Sequence, residues 1–203
     1  MIKKIMPDLY CWSEFSEEKQ MDFNGHLIIG KDESVIIDPP ELGAEDAEEL
    51  TKLLREHQSA PLKGILLTNV HHERASDSLR KKFSVPVWVN ELDKGGLEAP
   101  ADHTYKGGDI LLCGIEAAQL DDQKSPGETA FYLRDQKTMI VGDAFIGKIP
   151  GQLNMLPPDK YQDPAKAKAG LKKLMDYEFA TLLVGDGTSI FQDAKATVAT
   201  FLA

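Results

Sequence analysis

The sequence predicts an α/β fold in which two β-sheets pack face to face and helices cover their outer sides. In both halves of the chain, short apolar runs typical of strands alternate with helical patterns. The run over residues 64–68 is apolar almost throughout, as expected of a strand buried on both faces. Because 203 residues without a repeat or linker suit one core, we predict a single domain over residues 1–203.

The elements of the first half follow from periodicity and turn signals. Residues 44–57 are predicted to form a helix, because their leucines fall at helical spacing. Acidic residues near its start and Arg55 and His57 near its end suit the helix dipole. Pro86 places its strand near an edge or a strand start. We predict strands over 27–30, 35–38, 64–68 and 85–89, and helices over 44–57 and 75–83.

The second half repeats the mixture of strands and helices. A polar turn around residues 135–137 indicates a hairpin, and Pro164 occupies the favoured first position of a helix. We predict strands over 109–113, 115–120, 129–133, 139–142 and 181–184, and helices from 164 and from about 190.

Composition excludes several classes of partner. A net charge of -10 with no basic run argues against nucleic acid and anionic membranes. No apolar stretch approaches the roughly 18 residues of a membrane span. Cys11 and Cys113 are far apart in apolar surroundings and are predicted to be buried free thiols. We therefore expect a cytoplasmic protein with a small-molecule partner, and no particular oligomeric state is predicted.

Polar side chains follow several of the predicted strands. The segments 68–74, 141–143 and 184–187 each follow or end a strand, and a polar insertion at 121–128 precedes the hairpin. Ligands of α/β folds gather at the carboxyl ends of strands, which makes these segments candidates for a site. Each segment on its own is equally typical of ordinary turn chemistry.

The order of these segments resembles the metallo-β-lactamase superfamily, which includes glyoxalase II-type thioesterases. Residues 68–74 read Thr-Asn-Val-His-His-Glu-Arg, similar to the family signature T-H-x-H-x-D-H. Residues 125–131 read Ser-Pro-Gly-Glu-Thr-Ala-Phe, similar to its H-S-P-G-E-T-A stretch. Gly142-Asp143 resembles its G-D segment and residues 185–187 its terminal G-H-G. The resemblance implies a four-layer αββα sandwich with a site where the two sheets meet at one edge.

The family's chemistry uses two metal ions that share a hydroxide, held by histidines and carboxylates. The resemblance implies seven ligand positions, of which His71 and Asp143 keep the family's residue. An arginine cannot release its proton to bind a metal, and a lysine does so only with a strongly lowered pKa. No dinuclear centre is therefore expected. The five replaced positions are Asn69, Glu73, Arg74, Lys124 and Asp186.

The replacements balance one another in charge, which suggests a hypothesis. Arg74 and Lys124 are interpreted as standing in for the two missing metals, neutralising Glu73, Asp143 and Asp186. The alternative interpretation is that both cationic side chains extend into solvent.

Three functions remain open. The first is a metal-free relative, without cofactor, that binds a ligand or regulates through a charge-compensated pocket of Asn69, His72, Arg74, Lys124 and Asp186. The second is a hydrolase of a thioester, lactone or phosphoester in which His71, Glu73, Asp143 and Asp186 hold one divalent metal, with His72 as an alternative ligand from the neighbouring position. Manganese, iron or magnesium suits that oxygen-rich set better than zinc.

The third function is metal-free acid–base catalysis. It pairs His71 or His72 with Glu73, so His71, Glu73 and Asp143 are the candidate catalytic residues. The apolar loop over residues 145–158 is expected to wall the pocket and to favour a neutral or hydrophobic ligand, or else to pack as an ordinary surface loop.

Overall fold

The computed structural model describes residues 1–203 and contains eleven strands and four α-helices. Both halves of the chain combine strands with helices, as predicted. The strands are β1 (Lys3–Met6), β2 (Leu9–Ser16), β3 (Met21–Ile29), β4 (Ser34–Ile37), β5 (Leu62–Leu66), β6 (Val87–Asn90), β7 (His103–Tyr105), β8 (Glu116–Gln119), β9 (Thr129–Leu133), β10 (Thr138–Gly147) and β11 (Thr181–Gly187). The helices are α1 (Ala44–Glu56), α2 (Ser76–Phe83), α3 (Pro164–Gly170) and α4 (Ala194–Leu202).

The strands form two sheets that are joined at one point. The hydrogen-bonded order is β7-β6-β5-β4-β3-β11-β10-β9-β8, and β2 and β1 extend from the other side of β3. Between β3 and β11 a single register pair, Phe23 with Asp186, links the two halves. The side-chain amide of Asn24 strengthens this junction by donating to the carbonyls of Val184, at 2.9 Å, and Gly187, at 2.7 Å.

The core divides into three layers of apolar contacts, because successive strand residues point to opposite faces. In β5, Leu66 packs between the sheets, whereas Ile65 faces the cluster under the helices of its own half. In β10, Ile140 faces the inner layer, whereas Met139 packs in the outer cluster of the second half. Three apolar layers separate four structural layers, so the predicted αββα sandwich is confirmed.

The structure corrects the element boundaries in several places. The strand predicted over 109–113 is wrong: Leu112–Gly114 forms a 3-10 turn with Cys113 at a φ of 57°. The backbone N–H of Cys113 donates to the Glu33 carboxylate at 2.6 Å, which ties this turn to the β3–β4 connection. The strands β1 and β2 were not predicted, and β10 runs five residues beyond its predicted end at 142.

The longest helix, α1, has 13 residues, and none of the helices combines the length and the apolar character that crossing a bilayer requires.

Both cysteines are free thiols, and burial raises the pKa of Cys11 to about 11 and that of Cys113 to about 12. These thiols are therefore protonated and unreactive at neutral pH.

Candidate functional site

The candidate site lies at the sheet edge where β3 meets β11. Strands β4 and β5 run parallel, as do β10 and β11, so the carboxyl ends within each pair lie at the same edge. The register between β10 and β11 shifts, so that residues 142–145 lie opposite residue 185 alone. Such a bulge redirects side chains. It carries Asp143 into the site.

Two glycines make room for the loop that follows β5. A Cβ atom on Gly142 would overlap the side chains of Thr68 and Asn69, and one on Gly185 would overlap the imidazole of His72. The Gly-Asp pairs at 142–143 and 185–186 thus combine a close backbone approach with an acidic side chain. Their resemblance to family motifs has this local physical basis.

His72 lies at the centre of the site between two carboxylates. Its side chain is 1% exposed, with Nδ1 3.0 Å from Asp38 Oδ2 and Nε2 3.5 Å from Asp143 Oδ1. Asp38 is fixed in turn by Thr68, whose backbone N–H and hydroxyl donate to its two oxygens at 2.8 and 2.5 Å. The imidazole therefore bridges an aspartate from the first half of the chain and one from the second.

The surroundings of His72 favour its charged form. Burial and the nearby Arg74 guanidinium lower the pKa of His72, but the charges and contacts of Asp38 and Asp143 outweigh them and raise it to about 10. Burial raises the pKa of Asp143, but His72 and then Lys124 more than compensate and hold it well below its usual range. At neutral pH the pair is an imidazolium and a carboxylate.

Two further cations, Lys124 and Arg74, form salt bridges with Asp143 and Asp186, respectively. The Lys124 Nζ is 2.9 Å from Asp143 Oδ2. The Arg74 guanidinium donates to Asp186 Oδ1 and, at 3.4 Å, to the Gly185 carbonyl. The Arg74 and Asp186 side chains are only 14% and 12% exposed, so this pair is largely shielded from water. Arg74 also packs over the ring of Phe23, 4.4 Å from its centroid.

Formal charges in this cluster cancel. Asp38, Asp143 and Asp186 supply three negative charges, and Arg74, Lys124 and the protonated ring of His72 balance them. The hypothesis that Arg74 and Lys124 neutralise clustered carboxylates agrees with these contacts, although its acidic partners differ. Glu73 had been expected among them, and Asp38 takes its place.

Glu73 lies outside the cluster. Its two carboxylate oxygens accept hydrogen bonds from the backbone N–H groups of Glu98 and Ala99, each at 2.8 Å. The backbone turns sharply here, because Arg74 adopts a φ of 35°. Glu73 anchors a neighbouring loop, and a histidine–Glu73 acid–base pair therefore has no geometric basis.

Asn69 and His71 have separate roles. The Asn69 side chain accepts from the His71 N–H and donates to the Glu128 carboxyl, both at 2.7 Å, so Asn69 shapes the loop from a buried position. Burial and the nearby Asp143 raise the pKa of Glu128 well above its usual value. His71 faces the open cavity, and burial followed by the charge of Lys124 lowers its pKa. It is therefore neutral at physiological pH.

A cavity of about 860 Å³ opens onto the cluster. His71, His72, Arg74, Lys124, Asp143 and Asp186 all line it, so six of the eight predicted site residues converge there. The exposed part of the loop over 145–158 forms one wall, as expected for a pocket wall, whereas Phe145 and Leu153 pack into the core.

The possible metal donors are His72, Asp143 and Asp186, whose ligand atoms lie within 4.8 Å of one another. All three donors are already engaged: His72 with two carboxylates, Asp143 with Lys124 and Asp186 with Arg74. This set does not fit two metal ions. The single-metal set expected from the sequence, His71, Glu73, Asp143 and Asp186, is not assembled, because Glu73 lies elsewhere.

Three residues of the site were not among the predicted ones. Asp38 is the last residue of the strand predicted over 35–38, so an acidic residue at a strand end was a usable signal. Glu128 sits within the Ser-Pro-Gly-Glu motif, which also pointed to it. Phe23 carries no sequence signal, because its role depends on the pairing of β3 with β11.

Comparison with known proteins identifies relatives of this chain. The family model described as "Metallo-beta-lactamase superfamily" matches residues 1–203. The "Probable metallo-hydrolase YqgX" of Bacillus subtilis is 29% identical over 144 residues, which cover 61% of this chain and 66% of that protein, just under two thirds of its length.

Solved structures share the fold at low identity. The DIM-1 metallo-beta-lactamase superposes with a TM-score of 0.77 and 19% identity, covering 99% of this chain and 97% of that one. A metallo-beta-lactamase from Pontibacter korlensis superposes with a TM-score of 0.76 and 18% identity, covering 100% of this chain and 98% of that one. The FIM-1 metallo-beta-lactamase from Pseudomonas aeruginosa, in its mono-zinc form, superposes with a TM-score of 0.75 and 12% identity, covering 100% of this chain and 94% of that one.

We predict that the His72 ring stays doubly protonated at a pH of about 8, where an unperturbed histidine is neutral. The rings of His71 and His26, whose pKa values are lowered, should be neutral in the same spectrum. Nitrogen-15 NMR distinguishes these states, with assignments from His26→Gln and His71→Gln variants. A His72 ring that titrates near 6.5 would contradict the prediction.

The raised pKa of His72 has a consequence for stability. Its contribution to the free energy of unfolding is complete below the unfolded value of 6.5 and is lost as the pH rises toward about 10. A falling denaturation midpoint over that range should accompany the NMR result.

We also predict that Arg74→Ala lowers the free energy of unfolding by about 3 kcal/mol, because Asp186 is left shielded without its partner. The matched control is Arg134→Ala. Arg134 likewise pairs with a carboxylate, Glu116, and lies near an aromatic ring, but it is 73% exposed. Its loss should cost about 0–1 kcal/mol. Equal effects of the two variants in urea denaturation would place the Arg74 pair in solvent.

Proposed function

Since this chain belongs to the metallo-β-lactamase superfamily, we propose that it is a metal-free member of that hydrolase family that binds a small molecule, as a binding or regulatory protein. The observation that carries the proposal is the pairing of Lys124 with Asp143 and of Arg74 with Asp186. Each cation lies on a carboxylate that could otherwise hold a metal.

Electrostatics opposes a metal beside these cations. Two unit charges of the same sign at 4 Å repel by about 4 kcal/mol near a protein surface, and a divalent ion doubles that figure. Arg74 would have to leave both Asp186 and the face of Phe23 to make room. A histidine ligand must also be neutral, and the two carboxylates around His72 favour its proton.

The cavity supports binding as the retained function. Its volume of about 860 Å³ falls in the range of small-molecule sites, and its lining mixes apolar side chains with a few charged groups. The cluster at its base is already neutral without a metal. A ligand therefore meets a preformed pocket.

A hydrolase with a single divalent metal is the alternative, favoured by the convergence of His72, Asp143 and Asp186 and by the name of the Bacillus relative. In that case His72 would lose its proton, and Arg74 and Lys124 would move aside. Manganese, iron or magnesium would suit the two carboxylates. A thioester, lactone or phosphoester would then be the substrate class.

Elemental analysis and thermal unfolding distinguish the two functions. We expect the purified protein to contain no stoichiometric transition metal, and a strong chelator to leave its melting temperature unchanged. The double variant Arg74→His with Lys124→His serves as the positive control, since it offers imidazoles in place of the cations and should gain zinc-dependent thermal stabilisation. One or more tightly held metals per wild-type chain, with a chelator-induced fall in melting temperature, would favour the hydrolase.

A further inference from the structure

We infer that the cavity binds a small amphipathic anion, with its acidic head group at Lys148 and its apolar body against the loop that follows β10. This inference deepens the proposed function and rests on the metal-free site described above. It names the ligand class that the charges and apolar side chains of the cavity fit.

The lining of the cavity is cationic although the whole chain is acidic. It contains five lysine or arginine side chains and three acidic ones, against a net charge of -10 for the protein. A local excess of one charge in a concave surface attracts ligands of the opposite charge. An anion approaching this protein is therefore favoured at the cavity mouth over the rest of its surface.

Pairing among these groups identifies the lysine that remains available. The three acidic groups are matched by neighbouring cations: Glu18 by Lys19 at 2.6 Å, Asp143 by Lys124 and Asp186 by Arg74. Two lining lysines are left over, Lys148 and Lys160.

The two lysines differ in their surroundings. Lys160 lies 3.4 Å from the carboxylate of its neighbour Asp159. Lys148 forms no salt bridge, and its Nζ donates a hydrogen bond to the backbone carbonyl of Lys19, at 3.4 Å. Lys148 is thus the uncompensated positive charge of the cavity.

Apolar side chains lie beside this charge. Ile149 follows Lys148 directly and is 51% exposed, although it is a large hydrophobic residue. Met155 and Leu156 from the same loop and Phe23 from β3 are half-buried on the cavity wall. A ligand that covers Ile149 and these neighbours removes apolar surface from water.

The base of the cavity determines the orientation of the ligand. Arg74 and Lys124 are already neutralised, and the carboxylates of Asp186 and Asp143 lie beside them and would repel a second anion. The acidic head group therefore stays near Lys148, and the apolar body lies against Ile149, Met155 and Leu156 of the loop and away from the charged cluster. A neutral or hydrophobic ligand had been expected from the loop sequence alone, and Lys148 adds the anionic group.

Isothermal titration calorimetry with octanoate, octanol and octylamine tests this inference, because the three compounds share an apolar chain and differ in charge. We expect chelator-treated wild-type protein to bind octanoate more tightly than octanol, and octylamine most weakly. Lys148→Glu should lower the affinity for octanoate by about tenfold, since an attractive charge becomes repulsive. It should leave the affinity for octanol unchanged.

The control for the change in net charge is Lys172→Glu, which alters an exposed lysine outside the cavity. It should leave octanoate binding unchanged, whereas Ile149→Ser should weaken octanoate and octanol alike. Octanol binding as tightly as octanoate, or equal effects of Lys148→Glu and Lys172→Glu, would overturn the inference.

Two outcomes separate this inference from the proposed function. If chelator-treated protein binds none of the three compounds but holds no metal, the ligand class is wrong and the metal-free proposal stands. If octanoate binds only after a divalent metal is added, the metal-free site is wrong, and the inference that rests on it falls as well.

Discussion

Three aspartates held close together at one sheet edge impose the constraint on which the rest of this site depends. Asp38, Asp143 and Asp186 are all buried. Carboxylates clustered away from water must take up protons, bind metal ions or acquire cationic partners. In this chain the partners are side chains: the ring of His72 between Asp38 and Asp143, Lys124 on Asp143, and Arg74 on Asp186.

The same contacts hold the two halves of the sandwich together. Phe23 and Asp186 form the one register pair between β3 and β11, and Arg74 packs on the first and pairs with the second. His72 connects Asp38 of the first half with Asp143 of the second. A change at the site therefore alters the junction between the sheets as well.

Much of the architecture could be predicted from the sequence, because burial on both faces leaves continuous apolar runs such as 64–68. The replacement of five of the seven family ligand positions could also be read from the sequence, since Lys124 and Arg74 stand where the family has histidines. Which of the two adjacent histidines, His71 or His72, is buried could not be predicted from the sequence. The Asn69 side chain caps the 3-10 turn over 70–72, and that turn leaves His71 partly exposed in the cavity and buries His72 between Asp38 and Asp143.

The errors over Glu73 and over residues 109–113 have a common physical origin. In each case a backbone residue adopts a positive φ, Arg74 at 35° and Cys113 at 57°, and the chain turns where a regular continuation was expected. Such turns are stabilised by contacts with distant residues: Glu73 with the 98–99 backbone, and Cys113 with Glu33. Local sequence does not contain those partners.

The central claim is that side-chain cations occupy the place of metal ions. Anomalous diffraction from crystals grown with excess zinc, recorded on both sides of the zinc absorption edge, tests it most directly. We expect no anomalous peak among His72, Asp143 and Asp186, with Lys124 and Arg74 still on their carboxylates. A zinc peak bonded to those three side chains, with Arg74 and Lys124 displaced toward solvent, would contradict the claim.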